Sequence, residues 1–115
     1  KETEARAIAT RESLKALGLK IYPKVSALSM TTIIDENAEK IRSMLKKEFD
    51  VNIAGGQDDL SGKIFRINQM GLIELSDAIW VVNSIEIALE RLGVREFDGS
   101  ANRIFIKKYY ETIEK

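Results

Sequence analysis

The stretch VNIAGGQDDLSGKIFRINQMG, Val51 to Gly71, holds the residues on which the fold and the function turn. Val51 to Ala54 reads as a strand. Gly55-Gly56-Gln57-Asp58-Asp59 reads as a loop, because paired glycines permit backbone angles closed to other residues. Lys63 to Asn68 reads as the next strand, and Gly71 closes its exit. Within that strand a single arginine, Arg66, stands between Phe65 and Ile67. A charge set among apolar neighbours is costly unless something anionic answers it. Strand alternation places Ile64, Arg66 and Asn68 on one face and Phe65, Ile67 and Gln69 on the other. Arg66 can therefore leave the Phe65 face to the core and point towards a cleft.

Reading outward, residues 2–17 have helical spacing, with Ala5, Ile8, Ala9, Ala16 and Leu17 able to share a face. Gly18 is a helix stop. Leu19 to Tyr22 reads as a short strand ended by Pro23, and Ser26 to Ile34 is β-rich. Asp35 is an N-cap for a helix with Glu36 and Glu39 in its first turn. Its expected buried stripe is Ala38, Ile41, Leu45 and Phe49, with Lys40, Arg42, Lys46 and Lys47 facing water. Ser76 or Asp77 caps a strongly apolar helix reaching about Leu92, closed by Gly93. In the tail from Val94, residues Ala101, Ile104, Phe105, Tyr109 and Thr112 form the face of one more helix. The order α-β-β-α-β-β-α-α predicts an α+β fold: a small, mostly antiparallel sheet with helices packed on one face.

Composition narrows the chemistry. The 115 residues suit one domain, and 44% hydrophobic with 31% charged residues is a globular balance. A formal net charge of zero gives no general case for nucleic acid or an acidic membrane. The absence of Cys and His removes thiolate chemistry, the commonest general base and the commonest metal ligands. No apolar run is long enough to span a bilayer, and KETEAR is not a signal peptide, so the expected location is cytoplasmic. A first residue that is Lys rather than Met reads as a fragment or a processed product.

Several pieces look like sites and read better as structure. Gly55-Gly56 lacks the spacing of a phosphate loop, and no helix begins directly after it. Asp58-Asp59 has no further ligand cluster close by, so it reads as a solvated turn. Lys107-Lys108 reads as an exposed helix face, while Trp80 and Phe65 read as core aromatics. For Arg66 the residues alone leave two readings open. It either faces solvent or pairs with an internal carboxylate, or its planar fork grips a ligand carboxylate through two parallel hydrogen bonds.

From Glu4 to Gly93 the chain resembles the C-terminal small domain of class V aminotransferases, pyridoxal-phosphate (PLP) enzymes of fold type I. Within that class it is most similar to the branch acting on serine, alanine, pyruvate and glyoxylate. The resemblance rests on ESLKALGLKIYPKVSALSMTTI, on VNIAGGQDDLSGKIFRI and on Met70-Gly71, in that order and at family-like spacing. It implies that residues 1–93 form the small domain; residues 94–115 are less family-like and are expected, from their own spacing, to be a helical tail packed on the same domain. It also implies that Arg66, at the family's R-I-G-x-M-G arginine, binds the substrate α-carboxylate. Asn68 stands where the family usually has Gly; Asn tolerates left-handed backbone better than most residues.

The lysine that links to PLP, and the acid partnering its pyridine nitrogen, lie in the family's N-terminal large domain. The resemblance therefore implies PLP in the full-length enzyme and none bound to this chain alone, which should not catalyse by itself. The implied partners are the large domain, small amino acid and 2-oxo acid substrates, and a second copy in a homodimer. From the residues alone, two other readings remain: a free-standing ferredoxin-like module that binds small molecules or regulates, and a structural module in which Arg66 makes an internal salt bridge.

Overall fold

The computed structural model describes residues 2–21, 30–56, 62–68 and 75–114. In chain order the elements are α1 (Glu2–Ala16), β1 (Lys20–Ile21), β2 (Met30–Ile34), α2 (Ala38–Phe49), β3 (Ala54–Gly55), β4 (Ile64–Asn68), α3 (Leu75–Arg91) and α4 (Ser100–Ile113). This is the expected α+β order. The strands make one antiparallel sheet ordered β1-β2-β4-β3. β2 and β3 thus run parallel on either side of β4, a split β-α-β unit bridged by α2.

Alternation along β4 settles which face meets the helices. Phe65 and Ile67 are essentially fully buried, and Ile33 and Thr31 of β2 stand opposite them. These residues join side chains from all four helices in one core, including Ala9 and Leu14 of α1, Ile41 and Leu45 of α2, Val82 and Ile85 of α3, and Phe105 of α4. Each such large side chain contributes about 1.5–3 kcal/mol by leaving water. α1 lies against β1 and β2, α2 against β3 and β4, and α4 runs along α1 while also touching α3.

α1 departs from the single stripe read from its spacing. Ala16 is exposed and Ile8 half-buried, while Ala7, Thr10, Ser13 and Leu14 are buried beside the expected Ala5, Ala9 and Leu17. The helix is covered on one side by the sheet and on another by α4, so two of its faces are dry. Small residues fill both, which blurs any one-sided pattern. Its end is legible: Gly18 has φ +87°, Leu19 N–H donates to Leu14 O at 3.1 Å, and Gly18 N–H donates to Lys15 O at 2.9 Å. That is the Schellman closure, which glycine adopts without a Cβ penalty. α3 ends the same way, with Gly93 at φ +75° and Val94 N–H donating to Leu89 O at 2.9 Å.

Other boundaries move for local reasons. α2 begins at Ala38, and Asp35 caps the turn before it: its Oδ1 accepts the Asn37 N–H at 2.8 Å, and its carbonyl accepts the Ala38 N–H at 3.1 Å. Ser76 and Asp77 lie inside the first turn of α3 rather than before it. β3 is Ala54–Gly55, shorter than expected, and Val51 and Ile53 before it are buried in the core. Trp80 is 45% exposed, not a core residue. It sits on the flank of the buried Val81–Val82–Ile85 stripe, donates its indole N–H to Phe49 O at 3.3 Å and meets the Phe49 ring edge-on. The expected structure at Tyr22 to Ser29, at Gln57 to Ser61, and at Gln69 to Gly71 lies outside the described residues.

Because the Phe105 ring is fully buried and stacks on Tyr109 at 6.2 Å, Phe105→Ala is expected to destabilise the fold by about 3–5 kcal/mol in a urea titration. A loss below about 1 kcal/mol would mean that α4 is not part of the core.

Candidate functional site

Arg66 stands at the middle of the central strand, opposite Thr32 on β2 and Ala54 on β3. It is on the face turned away from Phe65, as alternation requires. The side chain is half-buried, and its neighbours Ile64 and Thr32 on the same face are only 4% exposed. Its Nε–H donates to the Gly55 carbonyl at 3.2 Å. That bond fixes the plane of the guanidinium and leaves the terminal nitrogens, with their fork of donors, for another partner. Among the described residues no carboxylate stands within ion-pair distance of it. A half-buried cation whose terminal nitrogens have no partner among the described residues is suited to a planar anion such as a carboxylate.

Gly55 leaves room here for a neighbouring side chain. A Cβ at this position would meet the Arg42 guanidinium, the flexible end of that side chain, which would have to shift. Arg42, expected to face water, instead lies across β3. Its Nε–H donates to Ile53 O at 3.1 Å, and its Nη1 donates to both oxygens of Glu39, at 3.0 and 2.9 Å. The spacing of Glu39 and Arg42, three apart on a helix, is a visible pairing signal. Nothing in that spacing reveals the reach to Ile53, which depends on how α2 crosses the sheet.

The other sequence candidates are not brought to Arg66. Lys107 is exposed, and Lys108 pairs with Glu111 at 3.5 Å. Asn68 ends β4, while Asp58, Asp59 and Gln69 lie outside the described residues. Among the described residues no group of three or more His, Cys, Asp or Glu could hold a metal ion, and no helix is long and apolar enough to cross a membrane. Nor do the described residues fit PLP. That group needs a lysine held in a desolvated pocket, whereas Lys15, Lys20, Lys40, Lys46, Lys47, Lys63 and Lys107 are exposed and the half-buried Lys108 is paired with Glu111 at the surface.

A second charged cluster was hidden inside the apolar helix. Glu86 of α3 is fully buried; its Oε2 accepts the Asp98 N–H and its Oε1 accepts the Ala101 N–H, each at 3.1 Å. It thereby satisfies orphan donors at the start of α4, where the helix dipole also favours a negative charge. Glu90 Oε2 accepts the Phe97 N–H at 2.9 Å. Arg95 ties the same elbow to α1 by donating to Ala16 O at 2.9 Å, and it pairs with Asp98 at 3.3 Å. The signal in the sequence was a carboxylate at a stripe position, four after Val82 and three before Leu89.

With the geometry in hand, known proteins place the chain. No protein-family model matches it. An uncharacterized aminotransferase of Helicobacter pylori (strain ATCC 700392 / 26695) is 46% identical over 110 residues, which is 96% of this chain and 30% of that protein. A protein named soluble hydrogenase 42 kDa subunit, from Anabaena cylindrica, is 38% identical over 81% of this chain and 25% of its own length. Among solved structures, ureidoglycine-glyoxylate aminotransferase from Bacillus subtilis superimposes with a TM-score of 0.82 at 26% identity, over 95% of this chain and 30% of that one. Pyridoxamine-pyruvate aminotransferase from Mesorhizobium loti shares the fold, with a TM-score of 0.83 at 19% identity over 96% of this chain and 30% of that one. The chain spans about 30% of the length of the aminotransferase relative it matches. In sequence and fold it matches the C-terminal small domain of class V aminotransferases.

The elbow generates a pH prediction. Hydrogen bonds from the Ser100 side chain and backbone N–H, with Arg95 nearby, lower the Asp98 pKa from 3.8 to about 2. A carboxyl group that is more acidic folded than unfolded stabilises the fold above its unfolded pKa and loses that effect as pH falls through the folded one. The melting-temperature gap between the unaltered chain and Asp98→Ala should therefore be constant from pH 7 to 5 and narrow between about pH 4 and 2. A gap that widens on acidification would contradict this role.

Proposed function

We propose that this chain is the small domain of a PLP-dependent aminotransferase that moves an amino group between a small amino acid, such as serine or alanine, and a 2-oxo acid, such as pyruvate or glyoxylate. Arg66 is the clamp for the substrate α-carboxylate. The observation that carries the reading is its placement. It stands on the central strand with its neighbours dry, its Nε is anchored on Gly55 O, and no described carboxylate neutralises it. The relatives named aminotransferase and the superimposed aminotransferases support the reaction class.

In this reading the chain's own contribution is binding and orientation. Two parallel N–H···O bonds to a carboxylate fix both the position and the plane of the amino acid, so the bonds around its α-carbon are held in one orientation. The buried Thr32 and Ile64 beside Arg66 keep water from competing for the guanidinium. PLP supplies the electron sink when bound. Its lysine and its pyridine partner belong to a large domain outside these residues, which is the partner proposed for the Arg66 face. We place the assembled protein in the cytoplasm as a homodimer.

In the full-length protein, Arg66→Ala should raise the KM for the amino donor at least tenfold, since each hydrogen bond to a charged group contributes about 1.5–3 kcal/mol. The absorbance of bound PLP should stay near normal. An unchanged KM with alanine and serine as donors and glyoxylate as acceptor would sink the assignment of Arg66. The 115-residue chain by itself, incubated with PLP and dialysed, should retain no cofactor absorbance; stoichiometric retention would move the cofactor site into this chain.

A further inference from the structure

We infer that Arg42 is a positioning residue for the Arg66 carboxylate site and acts through β3. This rests on the reading of Arg66 given above. β3 is the weakest element at the site, two residues long and at the edge of the sheet, with only β4 beside it. A strand so short is poorly defined by its own ladder. Yet its Gly55 carbonyl is the acceptor that holds Arg66 Nε. Whatever fixes Gly55 therefore fixes the fork of Arg66.

Arg42 does this from the helix side. Its Nε–H takes the Ile53 carbonyl, two residues before Gly55. Its guanidinium then lies over the Gly55 Cα, so close that a Cβ there would have to push it aside. Glu39, on the preceding turn of α2, holds Nη1 through both carboxylate oxygens. The path runs Glu39, Arg42, Ile53 and Gly55, Arg66, and every step except the bond from Gly55 back to Ile53 along the chain is a hydrogen bond or direct packing. Ile41 and Leu45 of α2 are fully buried, so the path starts from a helix packed into the core. Without Arg42, β3 loses a bond and a lid. Arg66 must then be ordered when the substrate binds, at a cost that appears in affinity rather than in chemistry.

The test is a double-variant cycle in the full-length, PLP-loaded protein. KM and kcat are measured with alanine and with serine as donors and glyoxylate as acceptor, and the glyoxylate Kd is measured by calorimetry. Arg42→Met, which keeps the apolar stem, should raise KM and the glyoxylate Kd by about three- to tenfold, the scale of ordering one long side chain, with kcat within twofold. In an Arg66→Ala background the same substitution should have no further effect, because the residue it positions is gone. A structural role alone would not move with Arg66 in this way. Gly55→Ala evicts the Arg42 guanidinium while leaving Arg42 in place. It should reproduce the KM change, and it decides the question if Arg42→Met does not fold. If Arg66→Ala raises KM but neither Arg42→Met nor Gly55→Ala does, or if their effects add to that of Arg66→Ala, the positioning role is overturned and the Arg66 reading stands. If Arg66→Ala leaves KM unchanged, both fall.

Discussion

The alternation of β4 is the constraint on which the rest of the molecule depends. Phe65 and Ile67 must be dry, and they are, against Ile33 and the helices. With a side-chain period of two, that choice leaves Arg66 no option but the opposite face. A slip of one residue would drive a guanidinium into the core and bring a Phe out of it, at a cost of several kcal/mol on each count. The same strand thus anchors the hydrophobic core and presents the cation. Its central place between β2 and β3 adds a third role, because both flanking strands are registered against it.

Around that strand the helices pack along their lengths, and their ends are fixed by backbone closures and by carboxylates. Gly18 and Gly93 close α1 and α3 by the same backbone pattern. The elbow into α4 is held by three carboxylates, from Glu86, Glu90 and Asp98, that accept backbone N–H groups. Glu86 is the costly member, a fully buried carboxylate, and it accepts a backbone donor on each of its oxygens. Arg95 then joins the elbow to the end of α1. This arrangement keeps α4 pressed along α1, whose Ala5 and Ala9 are small enough to allow close approach.

What could be read from the sequence follows the range of the interactions. The element order, the glycine stops of α1 and α3, the faces of β4 and the Ala38–Ile41–Leu45 stripe are local periodicities, and they are all present. The second dry face of α1 was not legible, because it exists only once α4 and the sheet close on either side. Trp80 looked like a core residue from its neighbours in sequence, yet it stands on a helix flank and finds its partner in Phe49 of α2. Val51 and Ile53 have strand-forming side chains and are buried in the core, yet β3 itself is Ala54–Gly55, so propensity does not give the extent of the ladder. At the site, Arg66 stood out because its local context was energetically odd. Arg42 did not, since a Glu–Arg pair on a helix surface is ordinary.

The two arginines separate by how their charges are answered. Arg42 has a carboxylate of its own: Glu39 neutralises it at the surface, where such a pair is worth about 0–1 kcal/mol, and its Nε–H goes to a backbone carbonyl. Among the described residues Arg66 has a single carbonyl partner, and its neighbours Ile64 and Thr32 are almost fully buried. A dipole can orient a guanidinium but does not offset its charge. An arginine held in place, with no carboxylate partner among the described residues, suits an anion from outside the chain. One that is both held and neutralised suits the support of its surroundings. That difference, more than the residue type they share, is why the two side chains are proposed for different tasks in one site.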